Sequence, residues 1–302
     1  MATEDNIFTG GAGTGNLATA GNWSAGAPAA HDNLIFPADA PTTYTLTGDL
    51  SGTAIASVVN LSACNFGASS AAPVKFNVGS ADGAATHLFD DYGTGTRYFS
   101  VANAVNVNIQ GRGTVEFDGL ANTTLRVNTA GTVTVGPVPG TPCQFETIAL
   151  IAGSGTVSLE NVIKAAGTAV PITKIDGGVR LYTYSRLDTV NQYGGTWRHY
   201  DNGIATHQSG VVAAIYQQAG ANLYYNSIGA LTLIEAAGTV DFSTEDMRAK
   251  TVTTGKFSKG AIVNDPNGVV TWTNPFQTPF CALKDVTINV GSHRKYEVTN
   301  IV

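Results

Sequence analysis

Eight acidic side chains are the residues of this sequence that could hydrolyse a polymer, because most enzymes that cleave polysaccharides use a pair of carboxyl groups. They are Asp90, Asp91, Glu160, Asp176, Asp201, Asp241, Glu245 and Asp246. Asp90 and Asp91 are adjacent, and successive residues of a strand point to opposite faces, so both can serve one site only from a turn. Because Asp is a favoured turn residue, we expect a solvated turn there and assign no catalytic residue.

A second group of residues combines aromatic rings with arginine. Its members are Tyr182, Tyr184, Tyr193, Trp197, Arg198, Tyr200, Tyr224 and Tyr225. Tyr, Trp and Arg are enriched at the energetic centres of protein interfaces, and aromatic faces beside Arg also bind sugars. Three interpretations stay open: a protein interface, which we favour, a sugar-binding strip, and an aromatic ladder inside the core.

Motifs for other chemistries are missing from the sequence. The glycine-rich stretch Gly10–Gly15 lacks the Gly-Lys-Ser/Thr ending of a phosphate loop, and no Gly-x-Ser-x-Gly elbow occurs. Cys64, Cys143 and Cys281 lie far apart and the five histidines are scattered, whereas zinc sites need closely spaced ligands. We therefore expect no metal and no cofactor, and we expect the cysteines to be buried free thiols.

The composition limits the partners that the protein can bind. Charged residues make up only 13% of the chain, and the net charge is −6. No block of Lys and Arg is present, so nucleic acid is not expected as a partner, and no apolar run approaches the ~20 residues that cross a membrane. Such low charge suggests that a partner covers much of the surface, or that amides and hydroxyls replace charge.

Strand patterns dominate the sequence, as short alternating or apolar runs between Gly, Asn and Asp. We predict strands over Val74–Val78, Val105–Ile109, Thr114–Phe117, Thr124–Val127, Thr132–Val135, Thr156–Leu159, Val179–Tyr182, Leu231–Ile234, Val269–Trp272 and Val286–Val290. Helix patterns are scarce. The best short candidates are Leu159–Ala166, Ser209–Gln218 and Ser243–Lys250, the last with Ser243 as its N-cap.

A recurrence of glycine followed by an alternating strand indicates the fold. It begins at Gly113, Gly131, Gly155, Gly178, Gly195, Gly220 and Gly238. The steps average about 21 residues, which fits one coil of three short strands whose apolar side is covered by the next coil. The sequence therefore predicts an all-β, right-handed parallel β-helix. The alternative is an antiparallel β-sandwich, whose strands also recur at short intervals.

The repeat also divides the chain into three parts. Residues 51–265 follow the rhythm and form the predicted β-helix. Residues 1–50 are expected to be an N-terminal arm or cap, and residues 266–302, where Pro266, Pro275 and Pro279 break the rhythm, a C-terminal cap or arm. Solenoids need caps because both ends would otherwise expose strand edges.

The segment Gly21–Phe36 carries a motif: Asn-Trp, a Gly-x-Pro turn, then Asp before an apolar strand. It resembles the entry motif of β-helical surface proteins and is similar to phage virion proteins and autotransporter-type passengers. In this interpretation Trp23, Pro28 and Phe36 cap the first coil: Trp23 covers it, Pro28 fixes the turn, and Phe36 points into the core.

The resemblance implies a function, and the N-terminal sequence favours phage virion proteins over autotransporter-type passengers. No leader-like segment opens the chain, which autotransporters need and phage structural proteins do not. We therefore expect a non-enzymatic virion structural protein made in the host cytoplasm: a capsid decoration or cement protein that binds capsid or other virion proteins, as a homotrimer. The alternatives are a tailspike-like protein that binds or cleaves polysaccharide, and a surface adhesin.

Overall fold

The chain folds almost entirely into β-strands. The computed structural model describes residues 4–79, 87–137, 142–164, 167–201, 211–279, 281–291 and 298–299. Within these ranges the only helices are two single 3-10 turns, Ala20–Asn22 and Leu283–Asp285. The three helix candidates were wrong over their described residues: strands occupy 156–159, 162–163 and 212–217, and residues 243–249 form bends and irregular backbone. Residues 165–166 and 209–210 of the first two candidates lie outside the described residues.

The strands are short, as the sequence predicts. Those of the first half are β1 (Asp5–Ile7), β2 (Asn33–Phe36), β3 (Asp49–Ala54), β4 (Ser57–Asn60), β5 (Val74–Asn77), β6 (Leu88–Asp91), β7 (Arg97–Ala102), β8 (Asn106–Ile109), β9 (Thr114–Asp118), β10 (Asn122–Thr129), β11 (Thr132–Val135), β12 (Cys143–Gly153), β13 (Thr156–Leu159) and β14 (Val162–Ile163). Those of the second half are β15 (Val170–Ile175), β16 (Arg180–Thr183), β17 (Leu187–Gln192), β18 (Thr196–Tyr200), β19 (Val212–Gln217), β20 (Asn222–Asn226), β21 (Leu231–Ala236), β22 (Thr239–Asp241), β23 (Lys250–Phe257), β24 (Ile262–Asp265), β25 (Val270–Trp272), β26 (Phe276–Gln277), β27 (Thr287–Val290) and β28 (Val298–Thr299).

The chain divides into two compact units. Unit 1 comprises residues 1–149 and 161–167, and unit 2 comprises residues 150–160 and 168–302. Parallel pairing reaches into residues 1–50 through β1 and β2 and into residues 266–302 through β27. The predicted division into a β-helix with two caps stays a prediction.

Each unit contains two parallel sheets. In unit 1 the strand orders are β1-β2-β4-β6-β8-β10 and β3-β5-β7-β9-β11. In unit 2 they are β15-β17-β19-β21-β23-β26-β28 and β13-β16-β18-β20-β22-β24-β27, and we call the latter sheet 2B. From β2 to β13 and from β15 to β24, strands that follow one another in the chain alternate between the two sheets, and each pairs in parallel with a strand one coil away.

This architecture confirms the predicted parallel β-helix and excludes the antiparallel sandwich. In unit 2 one sheet's strands begin at residues 170, 187, 212, 231 and 250, close to the expected period. From β15 to β24, however, the described part of each coil has two strands and not three. In β17, β19 and β21 two successive residues both lie outside the core, for example Asp188 and Thr189. A strand can do this only if it bends, so one bent strand replaces two predicted ones.

Aromatic side chains fill the inside of both units. In unit 1 they form a chain of ring contacts, with centroids 4.9 to 6.4 Å apart, through Phe8, Trp23, Phe36, Phe66, Phe76, Phe89, Phe99, Phe117 and Phe145. In unit 2 Trp197, His199, Tyr225, Phe242, Trp272, Phe257 and Phe276 do the same. Stacked coils put equivalent inward residues one strand spacing apart, so neighbouring large rings touch.

The three predicted capping residues lie at the start of unit 1. Trp23 is buried, packs edge-on against Phe8 and Phe36, and donates its indole N–H to the carbonyl of Leu17 at 2.8 Å. Pro28 is partly exposed. The segment after Trp23 also bonds to the free edge of β1, since the Ser24 amide donates to the Ile7 carbonyl at 2.9 Å. An edge covered in this way cannot pair with another chain.

Asp90 and Asp91 lie in β6, so the expected solvated turn was wrong. Asp91 is fully buried, and its carboxylate accepts bonds from Asn60 Nδ2 at 2.7 Å and from Arg97 Nε at 3.0 Å. Arg97 is equally buried and donates its remaining nitrogens to the carbonyls of Gly95 and Arg112. A buried ion pair needs such extra hydrogen bonds to offset the loss of hydration.

The cysteines are free, as expected. Cys64 and Cys143 are buried, and burial raises the pKa of both thiols. Cys281 is partly exposed, so the prediction of three buried thiols was wrong for this residue.

Candidate interaction surface

Strand alternation separates the predicted aromatic residues into two groups. In β18 the side chains of Trp197 and His199 point into unit 2, and Arg198 and Tyr200 lie outside. In β20 Tyr225 is fully buried, whereas Tyr224 lies outside. Trp197 and Tyr225 therefore belong to the core, as the ladder interpretation expects, whereas Arg198, Tyr200 and Tyr224 lie on the surface, where the interface and sugar-binding interpretations stay predictions.

The inward members form a hydrogen-bonded core cluster. The indole N–H of Trp197 donates to the Thr183 hydroxyl at 2.8 Å, and that oxygen lies 2.7 Å from Nδ1 of His199. Tyr225 donates its hydroxyl to the Gly229 carbonyl at 2.8 Å, and burial raises the pKa of its phenol. These residues stabilise the fold and cannot contact a partner directly.

Five outward residues form one surface, which we call the Tyr–Arg face: Tyr182, Tyr184, Arg198, Tyr200 and Tyr224. They belong to β16, β18 and β20 of sheet 2B or, for Tyr184, to the residue after β16. The parallel register places Tyr182, Arg198 and Tyr224 side by side on successive coils. The face is half-buried because the rings cover one another.

The guanidinium of Arg198 lies between two rings. It is 4.4 Å from the ring centroid of Tyr224 and 5.9 Å from that of Tyr182. Both distances are within the range of cation–π attraction. Beside this sandwich Tyr184 and Tyr200 stack with centroids 5.3 Å apart and planes inclined by 16°.

Glu245 is the polar centre of the face, although it lies about two coils further along the chain. Its carboxylate accepts bonds from Arg198 Nε at 3.0 and 3.2 Å, from Asn226 Nδ2 at 2.8 Å, and from the Tyr200 hydroxyl at 3.4 Å. Burial acts to lower the pKa of Arg198, but the bond and charge of Glu245 outweigh it and raise the pKa. The pKa of Tyr200 is raised by burial and by the negative charge of Glu245.

The loop that carries Glu245, residues 242–249, is held by ion pairs. Arg248 donates two bonds to Asp201, at 2.7 and 2.8 Å, and further bonds to Asp246. The ammonium group of Lys250, which is buried, bonds to the carbonyls of Asp246 and Arg248. Burial acts to raise the pKa of Asp246, but the hydrogen bonds from Arg248 outweigh it and lower the pKa to about 2.

Asp241, another of the eight candidate carboxylates, also has a structural role. Asp241 accepts bonds from the amides of Ser243 and Thr244 and from the Thr244 hydroxyl. These bonds form a tight turn where the sequence predicted a helix N-terminus. An Asp that bonds to the backbone two residues ahead competes with helix formation.

Tyr193 lies apart from the Tyr–Arg face. It follows β17, on the other sheet of unit 2, and its ring is 5.5 Å from the ammonium group of Lys174. Lys174 in turn pairs with exposed Asp176 at 2.6 Å. This second aromatic–cation pair joins two neighbouring coils, because Lys174 lies in β15 and β15 pairs with β17.

Sequence reasoning missed Glu245 and Asn226 as part of the face. Both are ordinary polar residues in the sequence, and 47 positions separate Glu245 from its partner Arg198. The repeat offered a signal, because Tyr200 and Asn226 occupy matching positions on successive coils. Nothing in the local sequence, however, indicates that the loop after β22 folds back onto β18.

Two other kinds of site are absent from the described residues. They contain no cluster of three or more His, Cys, Asp or Glu that could hold a metal ion. No helix within them has the length and apolar character needed to cross a membrane.

Comparison of the chain with protein-family models, with curated proteins and with solved structures found no match.

Proposed function

We propose that the protein is a non-enzymatic virion structural component, a capsid decoration or cement protein, which binds a protein of the viral shell through the Tyr–Arg face. The observation that carries the proposal is the face itself. It holds an arginine and four tyrosines on adjacent rungs of a parallel sheet, and these residue types dominate the energetics of protein interfaces. The resemblance of Gly21–Phe36 to phage virion proteins supports the viral setting.

The rigidity of the face also supports binding. The Arg198 sandwich and the Tyr184–Tyr200 stack fix the side chains before a partner arrives. Ordering side chains on binding costs about 0.5–1.5 kcal/mol for each flexible one. A preorganised face avoids part of this cost.

The carboxylates of unit 2 support a binding role over catalysis. Asp241 and Asp246 are occupied by bonds within their own loop, and Glu245 is bonded to three residues of the face. The pKa of Asp246 is lowered, whereas a general acid in glycoside hydrolysis needs a raised pKa. These groups therefore serve to hold the loop on the sheet.

Native virus particles provide the test. An antiserum against the purified protein should label particles in electron micrographs, and added protein should cosediment with particles that lack it. Tyr182→Ala should reduce cosedimentation about tenfold or more, the effect of removing an interface hot spot. Tyr193→Ala, which removes an exposed tyrosine outside the face, is the matched control. Unlabelled particles, or equal loss in both variants, would reject the proposal.

A carbohydrate-active spike is the second candidate, and one feature favours it. Acidic groups lie next to the stacked tyrosines: Glu245 accepts a bond from Tyr200, and the pKa of Tyr184 is raised by burial and by the charge of Glu160. A reducing-sugar assay over a panel of host polysaccharides separates the candidates. Release of reducing ends that disappears in Glu245→Gln would establish the second candidate in place of the first.

A further inference from the structure

The outer half of the Arg198 guanidinium has no partner in the described part of the chain. Its hydrogen bonds to protein come from Nε and go to the two oxygens of Glu245. The two terminal nitrogens carry four N–H groups, and none of these donates to a described residue. The side chain of Arg198 is 23% exposed, so these donors can be reached from outside.

The surroundings of Arg198 hold these free donors in one orientation. The rings of Tyr182 and Tyr224 flank the guanidinium on neighbouring coils. Glu245 holds its inner edge. The guanidinium is planar and its donors form a rigid fork, so fixing the plane also fixes the direction in which the free pair of N–H groups points.

We propose that Arg198, held between Tyr182 and Tyr224, binds the carboxylate of an acidic segment of the partner protein. A carboxylate matches the guanidinium fork through two parallel N–H···O bonds. This inference rests on the proposed function, because it names the chemistry that the Tyr–Arg face recognises. It makes Arg198 the specificity-determining residue of the face and the two tyrosines its supports.

The placement of the rings favours an acidic protein segment over an acidic sugar. Sugars pack their C–H groups flat against an aromatic face that is open to solvent. Here Tyr182 and Tyr224 each turn a ring face towards the guanidinium, and Tyr184 and Tyr200 turn theirs towards each other. What remains outside is the ring edges and the fork, which suit a side-chain carboxylate.

Glu245 weakens the attraction of the site for any anion. It sits on the inner edge of the guanidinium and offsets its charge. Recognition must therefore come from short, directed hydrogen bonds more than from the long-range field. Removing the charge of Glu245 should therefore strengthen binding, whereas changes to Arg198 itself should weaken it.

A labelled decapeptide of glutamate measures the inference directly, with a glutamine decapeptide as the neutral match. At about 0.15 M ionic strength, the protein should bind the glutamate peptide more tightly. Arg198→Lys, which keeps the charge and loses the fork, should weaken binding roughly tenfold. Glu245→Gln should tighten it about fivefold, as expected for the loss of one competing charge. Arg180→Lys, on an exposed residue of the same sheet, is the control and should change nothing.

Three outcomes would overturn the inference: equal affinity for the two peptides, equal losses in Arg198→Lys and Arg180→Lys, or weaker binding in Glu245→Gln. Tighter binding of polygalacturonate than of the glutamate peptide would also overturn it, in favour of a sugar. Cosedimentation with particles separates this result from the proposed function. If Arg198→Lys cosediments normally while Tyr182→Ala does not, the surface role stands and the carboxylate site is wrong.

Discussion

The buried pair of Asp91 and Arg97 leads to a sharp prediction at the scale of single residues. Both side chains are fully buried. Asp91→Asn keeps the shape but leaves the Arg97 charge without a counter-charge, which typically costs about 3–5 kcal/mol. We expect a loss of that size in the free energy of unfolding of unit 1, measured by urea denaturation.

An exposed ion pair of the same unit is the control for that experiment. Asp49 and Lys75 lie 2.9 Å apart, with about half of each side chain exposed. Such pairs contribute less than about 1 kcal/mol because water screens them. Asp49→Asn should therefore change stability far less than Asp91→Asn. Similar losses in the two variants would mean that the buried pair is not the stabilising contact described here.

Residue identity predicted part of the candidate surface and missed the rest. The sequence placed Tyr182, Arg198 and Tyr224 together because the repeat aligns them, and the structure brings them together. The sequence alone could not predict which of Tyr224 and Tyr225 is buried, because adjacent strand residues point to opposite faces and the exact register decides which face is inside. The contact of Glu245 with this surface could not be predicted, because it depends on ion pairs that fold the loop 242–249 back onto the sheet.

Two glycines of unit 2 distinguish the cost of left-handed backbone strain from the cost of a clash with the neighbouring coil. Gly195 and Gly220 both have positive φ, 70° and 84°. A Cβ at Gly220 would meet nothing within 4 Å, whereas one at Gly195 would lie 2.6 Å from the Val179 carbonyl oxygen of the coil below. Gly220→Ala should cost about 1 kcal/mol of left-handed strain, and Gly195→Ala clearly more, in thermal or urea unfolding. Equal costs would show that the coils can separate to admit a side chain.

The loop 242–249 should weaken in acid because of Asp246. In the folded state its pKa is about 2, against an ordinary value of 3.8. A lowered pKa stabilises the fold fully above the unfolded value, and that stability is lost as the pH falls from about 4 to about 2. Asp246→Asn should therefore cost about 2 kcal/mol at neutral pH and progressively less towards pH 2. Unfolding monitored at several pH values measures this difference.

Asp188 is the matched control for the acid experiment, as an exposed carboxylate on β17. Asp188→Asn should change the free energy of unfolding at neutral pH by no more than about 0.5 kcal/mol, as is usual for exposed positions. A wild-type advantage over Asp246→Asn that persists undiminished at pH 2 would contradict the role given to the Arg248 bonds.

At the scale of elements the sequence predicted strands well and helices poorly, for a physical reason. Runs such as Thr132–Val135 alternate strictly and are covered on one side, so their period is visible. Segment 212–217 looked helical because two successive alanines interrupt the alternation. The strand bends at these two alanines. A bend shifts the buried positions from every second to every third residue, and this spacing resembles that of a helix.

The whole molecule is expected to assemble with itself. Only 13% of its residues are charged, and several large apolar side chains are at least 40% exposed, among them Ile7, Leu61 and Tyr92 of unit 1. Water-facing surfaces normally carry more charge, and exposed apolar residues in one region are typical of protein contacts. A homotrimer would cover part of this surface.

Light scattering on the purified protein tests that expectation, with a predicted mass three times the 31.2 kDa of the chain. Because apolar contacts respond little to salt while exposed ion pairs are screened by it, the trimer should persist when the salt concentration is raised. Arg180→Lys should leave the mass unchanged. A mass of 31.2 kDa at all concentrations would contradict the expected trimer and would mean that surface amides and hydroxyls replace the missing charge.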